Sequence, residues 1–163
     1  MSRSTPNSNL IYYSRLAALL LAAAIGLLSF AVFEGLAVPA SCLLGWMMLA
    51  IAIEDARSFI IPDVLSLPAI PAGLLAAGVL SPADSAYETV LWHLAGAITA
   101  AVALYLVRWA YRQLRQVDGL GLGDVKLAAV AGAWTGLAGT STVLLLACAA
   151  ALTFVGIAAL IGK

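Results

Sequence analysis

LAALLLAAAIGLLSFAVF, residues 16 to 33, runs for about 18 positions without a charged side chain. Two kinds of segment look like this. A secretory leader has an apolar region of roughly 7–15 residues and is removed, whereas a membrane-crossing helix needs about 20 mainly apolar residues and stays. The small residues of AVPASC, 37 to 42, could suggest a cleavage site, but Cys42 lies far into the chain. The run is too long for the first reading, and the segment is expected to be a retained first span.

The same character recurs along the chain. Of 163 residues, 64% are hydrophobic and 10% charged, against about half and about a quarter in an ordinary soluble domain. A water-soluble fold built from such stretches would have nothing to place outside, so lipid must be the outer solvent. Spans are expected near 14–33, 36–54, 62–80, 89–110, 120–137 and 140–161. That describes an all-α, polytopic membrane protein of about six transmembrane helices, with 1–163 forming one membrane-embedded domain. The breaks fall at Glu34-Gly35, at EDARSFIIPD (54–63), at SPADSAYE (81–88), at RQLRQVDGLGLGD (112–124) and at GLAGT (136–140). The last rests on glycine alone.

Charge position tests this count independently, because Lys and Arg favour cytoplasmic loops. Arg3, Arg15, Arg57, Arg108, Arg112, Arg115, Lys126 and Lys163 all fall on one side of a six-span topology, and the opposite loops hold Glu34, Asp84 and Glu88. Both termini are therefore expected to be cytoplasmic. Glu54, Asp55, Asp63, Asp118 and Asp124 land on the same face, in two clusters from distant segments. The formal net charge is zero, which gives no basic field for nucleic acid. Cys42 and Cys148 stand far apart with no C-x-x-C spacing, so neither a zinc site nor a redox pair is expected, and no cofactor or metal is implied.

The acids carry the chemistry. Asp124 follows Gly121 and Gly123, whose freedom allows tight or left-handed turns that would present a carboxylate to a cavity; the plainer alternative is a helix cap. Asp55 closes the second span, where the helix dipole opposes negative charge, so a cap does not explain it and pairing with Arg57 or simple solvation is the alternative. Glu54 points elsewhere, since one helical step turns about 100°. Asp63 follows Pro62 at an expected helix start, which suits both residues structurally, and Asp118 belongs to the loop. Lys126 either pairs with a carboxylate or snorkels to lipid phosphate. His93, the lone histidine, lies toward the other face, so no Ser-His-Asp or Cys-His arrangement is available. Trp46, Trp92, Trp109 and Trp134, with Tyr12, Tyr13 and Tyr111, read as an interfacial belt.

Two aspartates brought close cannot easily both ionise, so one keeps a proton while the other is charged. Such a pair can take a proton from water and give one to a carbonyl oxygen, which hydrolyses a peptide without a nucleophilic side chain or a metal.

EDARSFIIPDVLSLP followed about sixty residues later by GLGLGDVKLAAVAGAWTG resembles the membrane core of the bacterial type IV prepilin leader peptidases, the G-x-G-D class of intramembrane aspartic proteases. The resemblance runs from about Leu36 onward. It implies a catalytic dyad of Asp55 and Asp124, supported by Gly121, Gly123, Lys126 and Pro62, and at Asp63 a position where asparagine is also accepted. It further implies cleavage of the basic leader from a pilin-like precursor at the cytoplasmic face of the bacterial inner membrane. Longer members carry an extra loop with paired C-x-x-C and an N-methyltransferase activity; this chain, with about 15 residues before its first span, resembles the short peptidase-only form. Two alternatives stand beside it. A small proton-coupled transporter would also use intramembrane acids, and a metal-dependent lipid-head-group transferase would use an acid-rich loop of which DAR (55–57) is a fragment.

Overall fold

The structure is a computed structural model that describes residues 8–116 and 120–161. Arg3, Asp118 and Lys163 lie outside the described residues. Among those residues the chain is all-helical, in five helices: α1 Ser8–Val32, α2 Ala37–Ser58, α3 Asp63–Leu80, α4 Ala86–Arg115 and α5 Leu122–Ile161. All five are long and apolar enough to cross a membrane.

The helix ends have local causes. After α1, Gly35 takes φ 58°, a left-handed turn that suits glycine, and Ala37 N–H donates to the Glu34 carbonyl at 3.2 Å. α2 runs four residues past its expected end and stops where Phe59 turns left-handed, at φ 54° and ψ 31°. Charged residues such as Glu54, Asp55 and Arg57 need water, but they do not interrupt helical hydrogen bonding. α4 likewise continues to Arg115 and ends at a left-handed Gln116. Its 30 residues span about 45 Å at 1.5 Å each. That exceeds the hydrocarbon thickness of about 30 Å.

α5 holds both of the last two expected spans. At 40 residues it would be about 60 Å long if straight, but Gly136, at φ 67° and ψ 179°, interrupts it. The expected loop at 136–140 is reduced to that one residue. Nothing in GLAGT demands water, and the Thr140 hydroxyl, itself buried, donates to the Gly136 carbonyl at 2.6 Å.

The chain divides into two compact units, with Ile60 ending the first and Ile61 beginning the second. In the first unit α1 and α2 form an antiparallel pair. Trp46 donates from Nε1 to the Ala22 carbonyl at 3.1 Å, and the Ile25 side chain occupies the space that a Cβ at Gly45 would need.

In the second unit α3 and α5 run parallel. Lys126 meets Asp63 and Trp134 meets Ala69, pairs 63 and 65 positions apart in sequence, so the register hardly drifts. α4 runs antiparallel to both: Arg108 contacts Leu120, while His93 contacts Ala133. The N-terminal ends of α3 and α5 therefore lie side by side.

Apart from Val130, the interior of this unit is made of small residues. Ser66, Ala69, Gly73 and Ala77 of α3, Gly96, Ala97 and Ala100 of α4, and Ala128, Ala129, Gly132, Ala133 and Gly136 of α5 are buried. Bulky side chains such as Leu106, Leu146 and Phe154 are exposed. Lipid provides no hydrophobic drive between helices, so close backbone approach replaces it. A Cβ at Gly132 would stand 2.3 Å from the carbonyl carbon of Gly96.

Trp134 corrects the expected aromatic belt. Its indole lies against α3 over Gly73, and Nε1 donates to the Ala69 carbonyl at 2.9 Å. Trp46, Trp92 and Trp109 are exposed. Trp134→Phe keeps the ring and removes the donor, and it is expected to lower stability by about 1 kcal/mol, in the range of interhelical hydrogen bonds in membranes. Thermal unfolding in detergent measures this.

Candidate active site

Asp124 is the third residue of α5. It does not cap the helix in the expected sense of a residue preceding the first turn. Instead its Oδ2 accepts a hydrogen bond from the Gly121 N–H at 3.1 Å, the returning half of a capping box, in which a residue at N3 satisfies the amide of the residue before the helix. The carboxylate is half-buried and sits at the end of the helix where the dipole favours negative charge.

The two glycines act by closeness rather than by unusual backbone angles. Neither Gly121 nor Gly123 has a positive φ, so of the tight or left-handed turns expected there the left-handed one is not used. A Cβ on Gly121 would lie 3.3 Å from Asp124 Oδ2, and one on Gly123 would lie 2.8 Å from both Cβ and Cδ1 of Ile61. A side chain at 121 would thus crowd the carboxylate, and one at 123 would push the helix start away from Ile61. Gly123→Ala is expected to destabilise the fold by about 1–3 kcal/mol through this overlap. Adding Ile61→Val should recover less than half of that, because the Ile61 Cβ remains; thermal unfolding of the two variants reads the difference.

The start of α3 meets the same place. Pro62, extended at φ −71° and ψ 129°, precedes the helix, and Asp63 is its first residue. Pro62 also accepts the Ser66 hydroxyl on its carbonyl at 3.1 Å. Lys126 Nζ forms an ion pair with Asp63 Oδ1, so of the two fates expected for Lys126 it takes the carboxylate. The second unit thus gathers Pro62, Asp63, Gly121, Gly123, Asp124 and Lys126. On α4, Arg108 donates to the Leu120 carbonyl and ties down the strand of chain entering α5.

Asp55 belongs to the first unit. It lies in the last turn of α2, its carbonyl accepting the Phe59 N–H at 2.8 Å, and its side chain is exposed. Among the described residues no ion pair joins it to Arg57.

His93 stands apart from Asp124. Its Nδ1 donates to the Ala133 carbonyl at 2.9 Å; a carbonyl only accepts, so the proton is on Nδ1. Ala133 lies nine residues along α5 from Asp124, about 14 Å at 1.5 Å per residue. The imidazole lines a cleft of about 490 Å³ with Trp92 and Gly136 beside the helix break. Among the described residues no group of three or more His, Cys, Asp or Glu side chains could hold a metal ion.

Sequence reasoning missed Ile61 and the partner of Asp63. Ile61 carries no chemical signal, and its role is to fill the space that Gly123 leaves. Asp63 is recognisable as a helix-start acid, but its partner is 63 positions away and nothing local announces it.

The model of the type IV leader peptidase family matches residues 42–156, a stretch that contains both Asp55 and Asp124. The chain belongs to this family. Among curated proteins it is similar to the prepilin leader peptidase/N-methyltransferase of Dickeya chrysanthemi, 36% identical over 121 residues, which is 73% of this chain and 40% of the relative. The protein of the same description from Klebsiella pneumoniae is 36% identical over 105 residues, 64% of this chain and 44% of the relative. That from Pseudomonas aeruginosa is 37% identical over 99 residues, 60% and 32% respectively. The chain therefore spans less than half the length of these leader peptidase relatives. No solved structure matches it.

Proposed function

We propose that the protein is a membrane aspartic endopeptidase that removes the leader of pilin-like precursors, with Asp55 and Asp124 as its catalytic pair. The observation that carries the reading is the family match across both aspartates, one of which is held at a helix start by the Gly121 amide. Neither proton-coupled transport nor metal-dependent head-group transfer has comparable support.

The two acids sit in opposite local fields. The N-terminal end of α5 favours a negative charge on Asp124, and the C-terminal end of α2 opposes one on Asp55. Asp124 is accordingly the base and Asp55 the acid. Asp124 takes a proton from water as the oxygen attacks the scissile carbonyl carbon, and Asp55 gives its proton to the carbonyl oxygen. Collapse of the resulting diol breaks the C–N bond; the amine leaves with the proton from Asp124, and Asp55 recovers its own. The bias of basic residues supports a cytoplasmic position for this pair, and the family resemblance supports the bacterial inner membrane, with both termini on the cytoplasmic side if the chain crosses six times.

The reading is tested with membranes containing the full chain and a precursor whose short basic leader precedes an apolar helix. Shortening of the precursor, with the new N-terminus close to the start of that helix by mass spectrometry, is the expected result. It should be insensitive to a chelator. An uncut precursor would reject the peptidase reading, and loss of cleavage on chelation would reject the metal-free aspartate mechanism.

A further inference from the structure

We infer that Lys126 and Asp63 form a positioning latch for the Asp124 carboxylate, a role that rests on the peptidase reading and extends it to residues outside the dyad. The argument begins with the register of the two helices. Because α3 and α5 are parallel, their first turns lie side by side, and Asp63, the first residue of α3, reaches Lys126, the fifth residue of α5. Asp124 lies between Gly123, which packs on Ile61 next to the start of α3, and Lys126.

The turn that bears Asp124 is thus attached to α3 on both sides, by an apolar contact before the carboxylate and an ion pair after it. The hydrogen bond from Gly121 then fixes one carboxylate oxygen within that turn. Removing the ion pair leaves the apolar contact as a pivot. The first turn of α5 can then rotate about it, and the carboxylate rotates with the turn.

The pair is too exposed to serve mainly as a source of stability. Its side chains are 30% and 59% accessible for Lys126 and Asp63, and exposed ion pairs add little to folding. What such a pair provides here is orientation. A displacement of about 1 Å in a reacting group can lower a rate by about a hundredfold.

The test uses the full chain in membranes, with Lys126→Met, Asp63→Ala, the double variant and Lys126→Arg; Ala is chosen at 63 because an asparagine oxygen could still accept from Lys126. The latch predicts that both single variants lower kcat by about ten- to a hundredfold with KM within about twofold, and that the double variant is no worse than the poorer single one, because partners in one interaction are not additive. Lys126→Arg retains the pairing and most of the rate, and thermal unfolding is nearly unchanged in all four. Unaltered kcat in the single variants, additive losses, or a rise in KM alone would overturn it.

A second readout does not need turnover. In an Asp124→Cys chain the rate of maleimide labelling at position 124 should change severalfold when Asp63→Ala is added, and no change would also overturn the latch. The peptidase reading fails on a different result, namely full cleavage by Asp124→Asn.

Discussion

Asp124→Asn is expected to lower precursor cleavage by about 10²–10⁴-fold, the span usual for loss of a positioned acid or base, and Asp55→Asn to fall in the same range. Asparagine is nearly isosteric with aspartate, and its carbonyl oxygen can still accept the Gly121 N–H that Asp124 now accepts at 3.1 Å. The helix start is therefore preserved, and what disappears is the capacity to hold and release a proton. Residues that work as one unit are strongly non-additive, so the double variant should be no slower than the slower single one. Initial rates at matched protein level, with thermal unfolding as the control for folding, measure all three. Wild-type rates in either single variant would exclude that residue from the dyad.

Gly132→Ala is the second large effect, and it concerns stability. The added methyl carbon would stand 2.3 Å from both the carbonyl carbon and oxygen of Gly96 and 2.4 Å from the Ala97 nitrogen. All three are backbone atoms, so no rotamer change can relieve the overlap and the two helices must separate. Overpacking a tight interior costs about 1–3 kcal/mol, occasionally more, and this position belongs at the upper end, about 3 kcal/mol.

Gly26→Ala provides the comparison. It lies inside α1 with nothing within 4 Å of the added carbon, so helix propensity alone should make that change neutral or stabilising by up to about 1 kcal/mol. Melting of the two variants in the same detergent tests the contrast. Equal melting temperatures would show that α4 and α5 are not packed as described.

Much of the fold was legible in the apolar stretches. Their lengths mark α1 to α4 with shifted ends, and Pro62 with Asp63 marks the start of α3 to within one residue. Less legible was which face of each helix turns inward. In water, apolar residues mark the buried side, but here the lipid-facing and helix-facing positions are both apolar, and only residue size separates them. The GAWTG segment, Gly132 to Gly136, holds that size signal; it also holds Trp134, whose bond to Ala69 could not be foreseen without the register of α3 against α5. The break at Gly136 was visible as glycine, but its extent was not, because no polar group fixes where a loop would begin.

At the site, Asp124, Gly121, Gly123, Pro62 and Lys126 were all identifiable from the motif, though not what each one touches. A glycine reads as conformational freedom in a sequence, whereas Gly123 is needed for the room it leaves to Ile61. Joining Asp55 to Asp124 in one dyad remains a statement of the proposed mechanism, which the two Asn variants address.

The small-residue interior also governs which mutations the protein will tolerate. In a water-soluble protein the severe substitutions are those that carve holes by trimming large buried groups. Here most of the large groups face the acyl chains, whose fluid tails fill any hole at once, so trimming exposed Leu106 or Leu146 should leave the bundle intact. The severe changes are enlargements, one methyl at a time, along the inner seam.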